Sequence, residues 1–141
     1  MKTLSVKLLR EMVEENSKRS SFELGLSLDK WTVPGLGRHY GNYGERLFND
    51  LGTTLGDDIE GGIASGVLRR ATVRLRDIHQ FQLTVSADGV LELVDNFTES
   101  KHDPVILMQF GPRFFVRDGN HRCVAAALRG DKTIRALVAQ V

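Results

Sequence analysis

Hydrophobic and polar positions in the second half of the chain alternate between a strand-like period of two and a helical period. The continuous apolar run Val105–Phe110 is typical of a buried strand, and the Gly111-Pro112-Arg113 turn after it predicts a hairpin. The further predicted elements are strands at 71–78, 114–117 and 133–138, and helices at 86–97 and 121–129, the latter closed by Gly130. The order strand, helix, hairpin, helix, strand predicts an α+β domain with a small mixed sheet and flanking helices.

Residues 1–70 are predicted to form an N-terminal extension to a core domain of residues 71–141. The pattern at 3–16 predicts an amphipathic helix that packs on its own domain, and the alternation of Phe22 to Leu28 predicts a short half-buried strand. A short helix is expected at 45–51, and Ile63, Val67 and Leu68 indicate that the helix resumes before Arg69 and Arg70.

The Gly- and Pro-rich loop at 31–44 carries Arg38, His39, Tyr40 and Tyr43. Such side chains could lie along a nucleic acid or close over a ligand, although a surface loop pinned by Trp31 is the favoured interpretation. The acids Asp57, Asp58 and Glu60 could bind a divalent cation, but a solvated acidic turn or helix start is the favoured interpretation, because they lack the ligand spacing of a calcium loop. His39, His79 and His102 have no zinc-ligand spacing and are expected at the surface.

Composition narrows the class of protein only slightly. The chain is 141 residues long with 41% hydrophobic and 26% charged residues, and its formal net charge of +1 does not favour a strong polyanion binder. Its single cysteine, Cys123, excludes an internal disulfide and fits a reducing compartment. No apolar run reaches membrane-spanning length, so we expect a cytoplasmic protein without a membrane partner. The sequence does not indicate the oligomeric state.

The turn Asp118-Gly119-Asn120 before the second predicted helix of the core is the candidate site. Asn120 is the predicted N-cap, which would leave the N–H groups of His121, Arg122 and Cys123 unpaired and available to an anion. Arg122 adds a guanidinium, His121 a donor that titrates, and Asp118 a carboxylate for a cation or a proton. The alternative is a simple turn in which Arg122 pairs with Asp118.

This Asp-Gly-Asn-His-Arg turn, the alanine-rich helix with Ala125 to Leu128, Gly130 and the strand at 133–138 resemble the signature of the ParB/sulfiredoxin superfamily. The resemblance covers the core domain and implies a ParB/sulfiredoxin-like fold whose turn wraps nucleotide phosphates. Relatives with a comparable turn include a kinase acting on free serine, enzymes that hydrolyse CTP, and ParB-like nucleases.

The resemblance therefore implies phosphoryl transfer or nucleotide hydrolysis with ATP/ADP or CTP and Mg²⁺. It places phosphates at Gly119, Asn120, His121, Arg122 and Cys123. Asp118 and His121 would be catalytic, Asp118 would also hold the metal, and Glu92 or Glu99 on the preceding helix would supply a second acid.

Two other functions stay open. A DNA nuclease would need a basic rim, for which the candidates are Arg69, Arg70, Arg74, Arg113, Arg117 and Arg129. A non-catalytic DNA- or partner-binding module is also possible, although we expect no room for the helix-turn-helix domain of partition proteins. Sulfiredoxin chemistry is least favoured, because in that enzyme the reactive cysteine directly precedes the His-Arg pair, where this chain has Asn120.

Overall fold

A computed structural model describes residues 2–41, 59–96 and 104–140 of the chain. The predicted helix at 45–51 lies outside these residues, as do Tyr43, Asp57, Asp58, Glu99 and His102.

Five strands form one mixed sheet in the order β4-β9-β7-β8-β5. These strands are β4 (Leu68–Arg74), β5 (Ile78–His79), β7 (Val105–Phe110), β8 (Arg113–Asp118) and β9 (Thr133–Gln140). β7 pairs antiparallel with β8, which confirms the predicted hairpin, and parallel with β9 at the centre of the sheet. The α+β class with a mixed sheet is confirmed.

The helix α4 (Asn120–Arg129) lies between the sheet and a second layer of helices and short strands. Cys123 and Ala126 pack in the cluster that includes the sheet residues Leu107 and Val138. Val124 and Ala125 pack in the other cluster, with residues of α1 (Val6–Ser17) and α3 (Ala87–Asn96). Small side chains on both sides let these layers approach α4 closely, so the start of α4 is held firmly.

The N-terminal residues complete this second layer. Ser5 caps α1 by accepting from the N–H of Leu8, and buried Leu9 packs in the same cluster as Val90 of α3. The strand β2 (Gly25–Ser27) pairs antiparallel with β6 (Thr84–Ser86), and β1 (Lys2–Thr3) pairs parallel with β3 (Trp31–Thr32). The predicted packing of the first helix on its own domain is confirmed.

Three local predictions are wrong. Phe22 is 82% exposed, because the strand begins only at Gly25. The helix α2 (Ile59–Ala64) ends before Val67 and Leu68, and Leu68 already belongs to β4. The predicted strand at 71–78 is interrupted by one 3₁₀ turn at Leu75–Asp77.

The division into residues 1–70 and 71–141 stays a prediction. β4 runs continuously from Leu68 to Arg74 across the proposed boundary. The two parts also share a hydrophobic cluster, since Leu4, Leu9 and Leu26 pack with Val124 and Ala125.

Candidate functional site

Gly119, and not Asn120, is the N-cap of α4. Gly119 has φ of +111°, and a Cβ atom there would lie 2.5 Å from Val105 Cγ1, so the turn requires glycine both for its backbone angle and for its packing. The N–H of Cys123 donates to the carbonyl of Gly119 at 3.0 Å as the first hydrogen bond of the helix. The predictions that Asn120 caps the helix and that the Cys123 N–H is unpaired are therefore wrong.

A cleft of about 410 Å³ opens beside this turn. We call it the turn cleft; it is lined by the consecutive residues 117–122 together with Gln82 and Leu93. Its volume lies within the roughly 300–1,000 Å³ of small-molecule sites. The structure thus brings five predicted site residues to one cleft, namely Asp118, Gly119, Asn120, His121 and Arg122.

A β-bulge lies in β8 directly before the turn cleft. Val116 pairs with Leu107 and Asp118 with Ile106, so one step along β7 spans two steps along β8 and Arg117 is the extra residue. In a regular strand, consecutive side chains point to opposite faces, whereas Arg117 and Asp118 both line the cleft. The bulge therefore adds a second arginine that the sequence pattern did not assign to the phosphate site.

Arg122 and Asp118 form a long ion pair at the cleft. Arg122 Nη2 lies 3.7 Å from Asp118 Oδ2, and the two side chains are 17% and 70% exposed. The guanidinium is thus largely enclosed by protein, while the carboxylate stands in solvent. This geometry leaves the Asp118 carboxylate able to turn towards a ligand or a cation without breaking a tight hydrogen bond to Arg122.

His121 is fixed to the start of α3. Its Nε2 accepts from the backbone N–H of Ser86 at 3.0 Å, so the neutral ring carries its proton on Nδ1. The Ser86 hydroxyl accepts from the N–H of Gly89 as an N-cap does, and it donates to Glu23 Oε2 at 2.9 Å. The Nδ1–H side of the His121 ring is left for a ligand. Glu23, from the N-terminal part of the chain, supports the position of the ring through Ser86.

Cys123 is fully enclosed by the core. Burial raises the pKa of its thiol to about 12, and the nearby Arg122 charge lowers it only in part. The sulfur is therefore a neutral packing group, and Cys123 does not line the turn cleft.

Glu92, one of the two candidates for the second acid, does not line the cleft, and the other candidate, Glu99, lies outside the described residues. Glu92 lies on the exposed side of α3, and the neighbouring Leu93 is the α3 residue that lines the turn cleft. Within residues 2–41, 59–96 and 104–140, no three His, Cys, Asp or Glu side chains come together as a metal cluster. Among the described residues that line the cleft, Asp118 is thus the only one with a carboxylate.

The sequence patterns did not predict a network of side-chain carboxamides that lies behind the turn. The side chain of Gln80 donates to both oxygens of Asn120, and Asn120 Nδ2 donates to Gln82 Oε1. Gln80 and Gln82 precede Asn120 by 40 and 38 residues, and no local sequence pattern indicates a contact over such a separation.

The described part of the Gly- and Pro-rich loop, which ends at residue 41, is held against the rest of the protein by hydrogen bonds. The backbone N–H of Tyr40 donates to Gln80 O, and His39 Nε2 lies 2.9 Å from Gln82 O. His79 contacts the carbonyl of Arg38 and packs edge-on against the ring of Tyr40, which also packs against Phe115. His39 and His79 are therefore partly exposed surface residues, as predicted, and their rings also make hydrogen bonds to the backbone.

This loop forms one wall of a second cleft of about 560 Å³, which is lined mainly by apolar and aromatic side chains. Trp31, Val33, Leu36 and Tyr40 are among them, and Gln80 lies at its base. The contact of the loop with nucleic acid or with a ligand stays a prediction.

The six arginines expected to form a nuclease rim are spread over the molecule. Arg69, Arg70 and Arg74 belong to β4, which is separated from β8 by β9 and β7. Arg69 bonds to Gln109, Arg74 pairs with Asp77, Arg129 pairs with Asp131, and Arg113 lies near the Tyr40 ring. Of the six, only Arg117 lines the turn cleft, so they do not form a stripe beside Asp118.

Comparison with known proteins shows a partial likeness of fold. A crystal structure of sulfiredoxin from Arabidopsis thaliana is similar to 52% of this chain and 86% of that chain, with a TM-score of 0.45 and 19% identity. No protein-family model matches the chain. No curated protein matches it either. The ParB/sulfiredoxin relationship stays a prediction, and the α+β class rests on the helices and mixed sheet described above.

Among the helices in the described part of the chain, none has the length and apolar character needed to cross a bilayer.

Proposed function

We propose that this protein binds a nucleotide through its phosphate groups in the turn cleft and acts on them by phosphoryl transfer or hydrolysis. The observation that carries the proposal is the placement of the largely enclosed Arg122 guanidinium in the first turn of α4, at a cleft that begins at the Gly119 turn. A second arginine, Arg117, lines the same cleft.

Three features of the cleft favour a multiply charged anion. The first N–H groups of α4, those of Asn120 and His121, precede the first intrahelical hydrogen bond and carry the positive end of the helix dipole. Glycine at position 119 permits the positive φ with which the turn leads into the N-terminus of α4. The two arginines supply planar donors that match phosphate oxygens.

Asp118 fits a role in binding Mg²⁺ together with the nucleotide. Mg²⁺ in nucleotide sites is commonly held by one or two carboxylates, phosphate oxygens and water, so one exposed carboxylate at the cleft is a suitable donor. When bound, the ion would neutralise charge on the phosphate oxygens. The metal site would thus be completed by the ligand and not by a preformed protein cluster.

In this proposal the protein contributes mainly charge stabilisation and orientation. Arg122 and the start of α4 would stabilise the negative charge of the phosphoryl group, and the Nδ1–H of His121 would donate to a phosphate oxygen. The Ser86 N–H keeps Nε2 of His121 occupied, so His121 serves as a donor in this arrangement and not as the base. Asp118 is the remaining group in the cleft that can accept a proton from water or an alcohol.

Calorimetric titration of ATP, ADP, CTP and GTP, each with Mg²⁺, tests the binding step. Loss of charge-assisted hydrogen bonds worth about 1.5–3 kcal/mol in Arg122→Ala is expected to weaken the best nucleotide by about tenfold to hundredfold. The matched control is Arg70→Ala, which removes an exposed arginine on β4 and should leave the affinity unchanged. If no nucleotide binds to the native chain, or if both variants bind equally well, the proposal fails, and the arginines should be tested against DNA.

Phosphate release from the nucleotide that binds tests the reaction step. Asp118→Asn keeps the size of the side chain but removes its charge, so turnover is expected to fall by at least about a hundredfold, a typical contribution of a general base. Binding measured without Mg²⁺ should change little. Unchanged turnover in Asp118→Asn would exclude Asp118 as base and as metal ligand.

A further inference from the structure

Gln80 and Asn120 are the two buried polar side chains in the part of the chain that the structure describes, with 4% and 7% exposure. They are bonded to each other: Gln80 Nε2 lies 3.1 Å from the main-chain oxygen of Asn120 and 3.1 Å from its Oδ1. The buried carboxamide of Gln80 is therefore directed at the first residue of α4.

Burial of two carboxamides is a poor way to stabilise a core. Their hydrogen bonds replace bonds to water, and apolar side chains of the same shape commonly give equal or greater stability. A buried and fully bonded polar network does, however, select one geometry for the groups that it joins. Because this pair lies at the start of α4, the geometry that it selects is that of the first turn of this helix.

The network holds Asn120 from two directions. Gln80 binds its main-chain and side-chain oxygens, and Gln82 Oε1 accepts from its Nδ2 at 2.9 Å. Gln80 is itself anchored, because its backbone oxygen accepts from the N–H of Tyr40 at 2.9 Å. Both polar ends of the Asn120 side chain are thus occupied within the protein, which leaves its main-chain N–H as the group that can face a ligand.

We propose that Gln80 is a positioning residue of the turn cleft: it fixes the first turn of α4 so that the N–H groups of Asn120 and His121 are presented to phosphate. The phosphate part of this inference rests on the proposed nucleotide function. The part of the inference that concerns the orientation of the first turn of α4 does not rest on that function, and this orientation can be measured without a ligand.

The test compares Gln80→Met with the double variant Gln80→Met/Asn120→Leu. The single variant leaves two Asn120 oxygens without the Gln80 donor and should lower stability, whereas the double variant removes the Gln80–Asn120 pair and should recover it. Gln82, which loses its bond from Asn120 Nδ2, is exposed and can bond to water instead. Neither substitution touches the main-chain N–H groups. The matched control is Gln109→Met, which changes a glutamine of β7 that bonds to Arg69 and does not line the cleft.

Affinity for Mg²⁺-ATP and for inorganic tripolyphosphate is the first readout. Both Gln80 variants are expected to bind at least about tenfold more weakly than the native chain, although the double variant is as stable as the native chain in urea unfolding. If affinity returns to the native value together with stability, the role of Gln80 is merely structural and the proposal is overturned.

Hydrogen exchange of the Cys123 amide is the second readout, because this N–H makes the first hydrogen bond of α4, to Gly119 O. In the double variant its exchange should accelerate about tenfold relative to the Ala127 amide further along the helix. Unchanged exchange would overturn the positioning role whatever the ligand results. A native chain that binds neither tripolyphosphate nor any of ATP, ADP, CTP and GTP would refute the proposed function, and the exchange measurement would then decide the role of Gln80 alone.

Discussion

Replacement of Gly119 by alanine is the perturbation whose cost follows most directly from the structure. At this position a Cβ atom would lie 2.5 Å from Cγ1 and 2.9 Å from Cβ of Val105. Val105 is 1% exposed on the central strand β7, so it has no free space into which it can move. The substitution therefore combines backbone strain with a steric conflict.

The two contributions can be estimated separately. An alanine at positive φ costs about 1–2 kcal/mol, and a methyl group forced into a packed core costs about 1–3 kcal/mol. Together they predict a loss of roughly 2–5 kcal/mol, which corresponds to a fall in Tm of roughly 6–15 °C for a chain of this size.

Thermal and urea unfolding of three glycine variants provide the assay. Gly111 and Gly130 also have positive φ, +61° and +88°, but a Cβ at either position meets nothing within 4 Å. Gly111→Ala and Gly130→Ala should therefore show only the backbone cost of about 1–2 kcal/mol. If Gly119→Ala is no more destabilising than these controls, the described packing of the turn against Val105 is incorrect. The double variant Gly119→Ala/Val105→Ala should show a favourable coupling of about 1–3 kcal/mol, because the smaller side chain removes the overlap.

Three further predictions concern the parts of the fold that hold the site. Burial raises the pKa of Cys123 to about 12, so a thiol reagent at pH 8 should not react with the native protein but should react after denaturation. Rapid labelling of the native protein would show that α4 is less enclosed than described. Because the folded pKa lies above the unfolded value of 9.0, this thiol favours the folded state fully below pH 9, and its contribution should be lost as pH rises towards 12. The hydrogen bond from Arg10 holds the pKa of Asp95 below its usual range, so this exposed pair should contribute to folding stability above that range and lose its contribution as pH falls. Arg10→Met and Asp95→Asn should have equal, small effects on Tm. A large effect of either variant would contradict a solvent-screened pair. Ala126→Leu should cost about 1–3 kcal/mol in urea unfolding, since Ala126 is 1% exposed between α4 and the sheet, and a stabilised variant would indicate unfilled space there.

The elements of the core could be predicted because their signals are local. The apolar run of β7, the Gly111 turn and the alanine-rich segment closed by Gly130 each specify one element, and their order specifies the hairpin and the following helix. Phe22 misled the prediction of the first strand because a period of two is only a tendency, and the chain pairs with β6 only from Gly25 onward.

The start of α4 could not be predicted correctly from residue preferences. Asparagine is a better N-cap than glycine on average, yet here the Asn120 side chain bonds to Gln80 and Gln82, and the sharp turn requires positive φ at Gly119. Local preference was overridden by contacts made with residues far away in the sequence.

The candidate site contains features that depend on long-range contacts. Arg117 lines the cleft because of a β-bulge, which arises from the pairing of β8 with β7 and not from the sequence of β8 alone. Likewise, Glu23 reaches His121 only through Ser86, on an element 63 residues further along the chain. The sequence predicted the turn residues of the site, whereas the residues that support them required the structure.

The most direct test of the central claim is a titration of the ¹⁵N-labelled protein with ATP and with CTP in the presence of Mg²⁺, followed through the backbone amide signals. Binding of phosphate at the turn cleft predicts saturable shifts that are largest for Gly119, Asn120, His121 and Arg122 and that are lost in Arg122→Ala. Absence of shifts, or shifts confined to residues remote from the turn, would contradict the assignment of this turn as a nucleotide phosphate site.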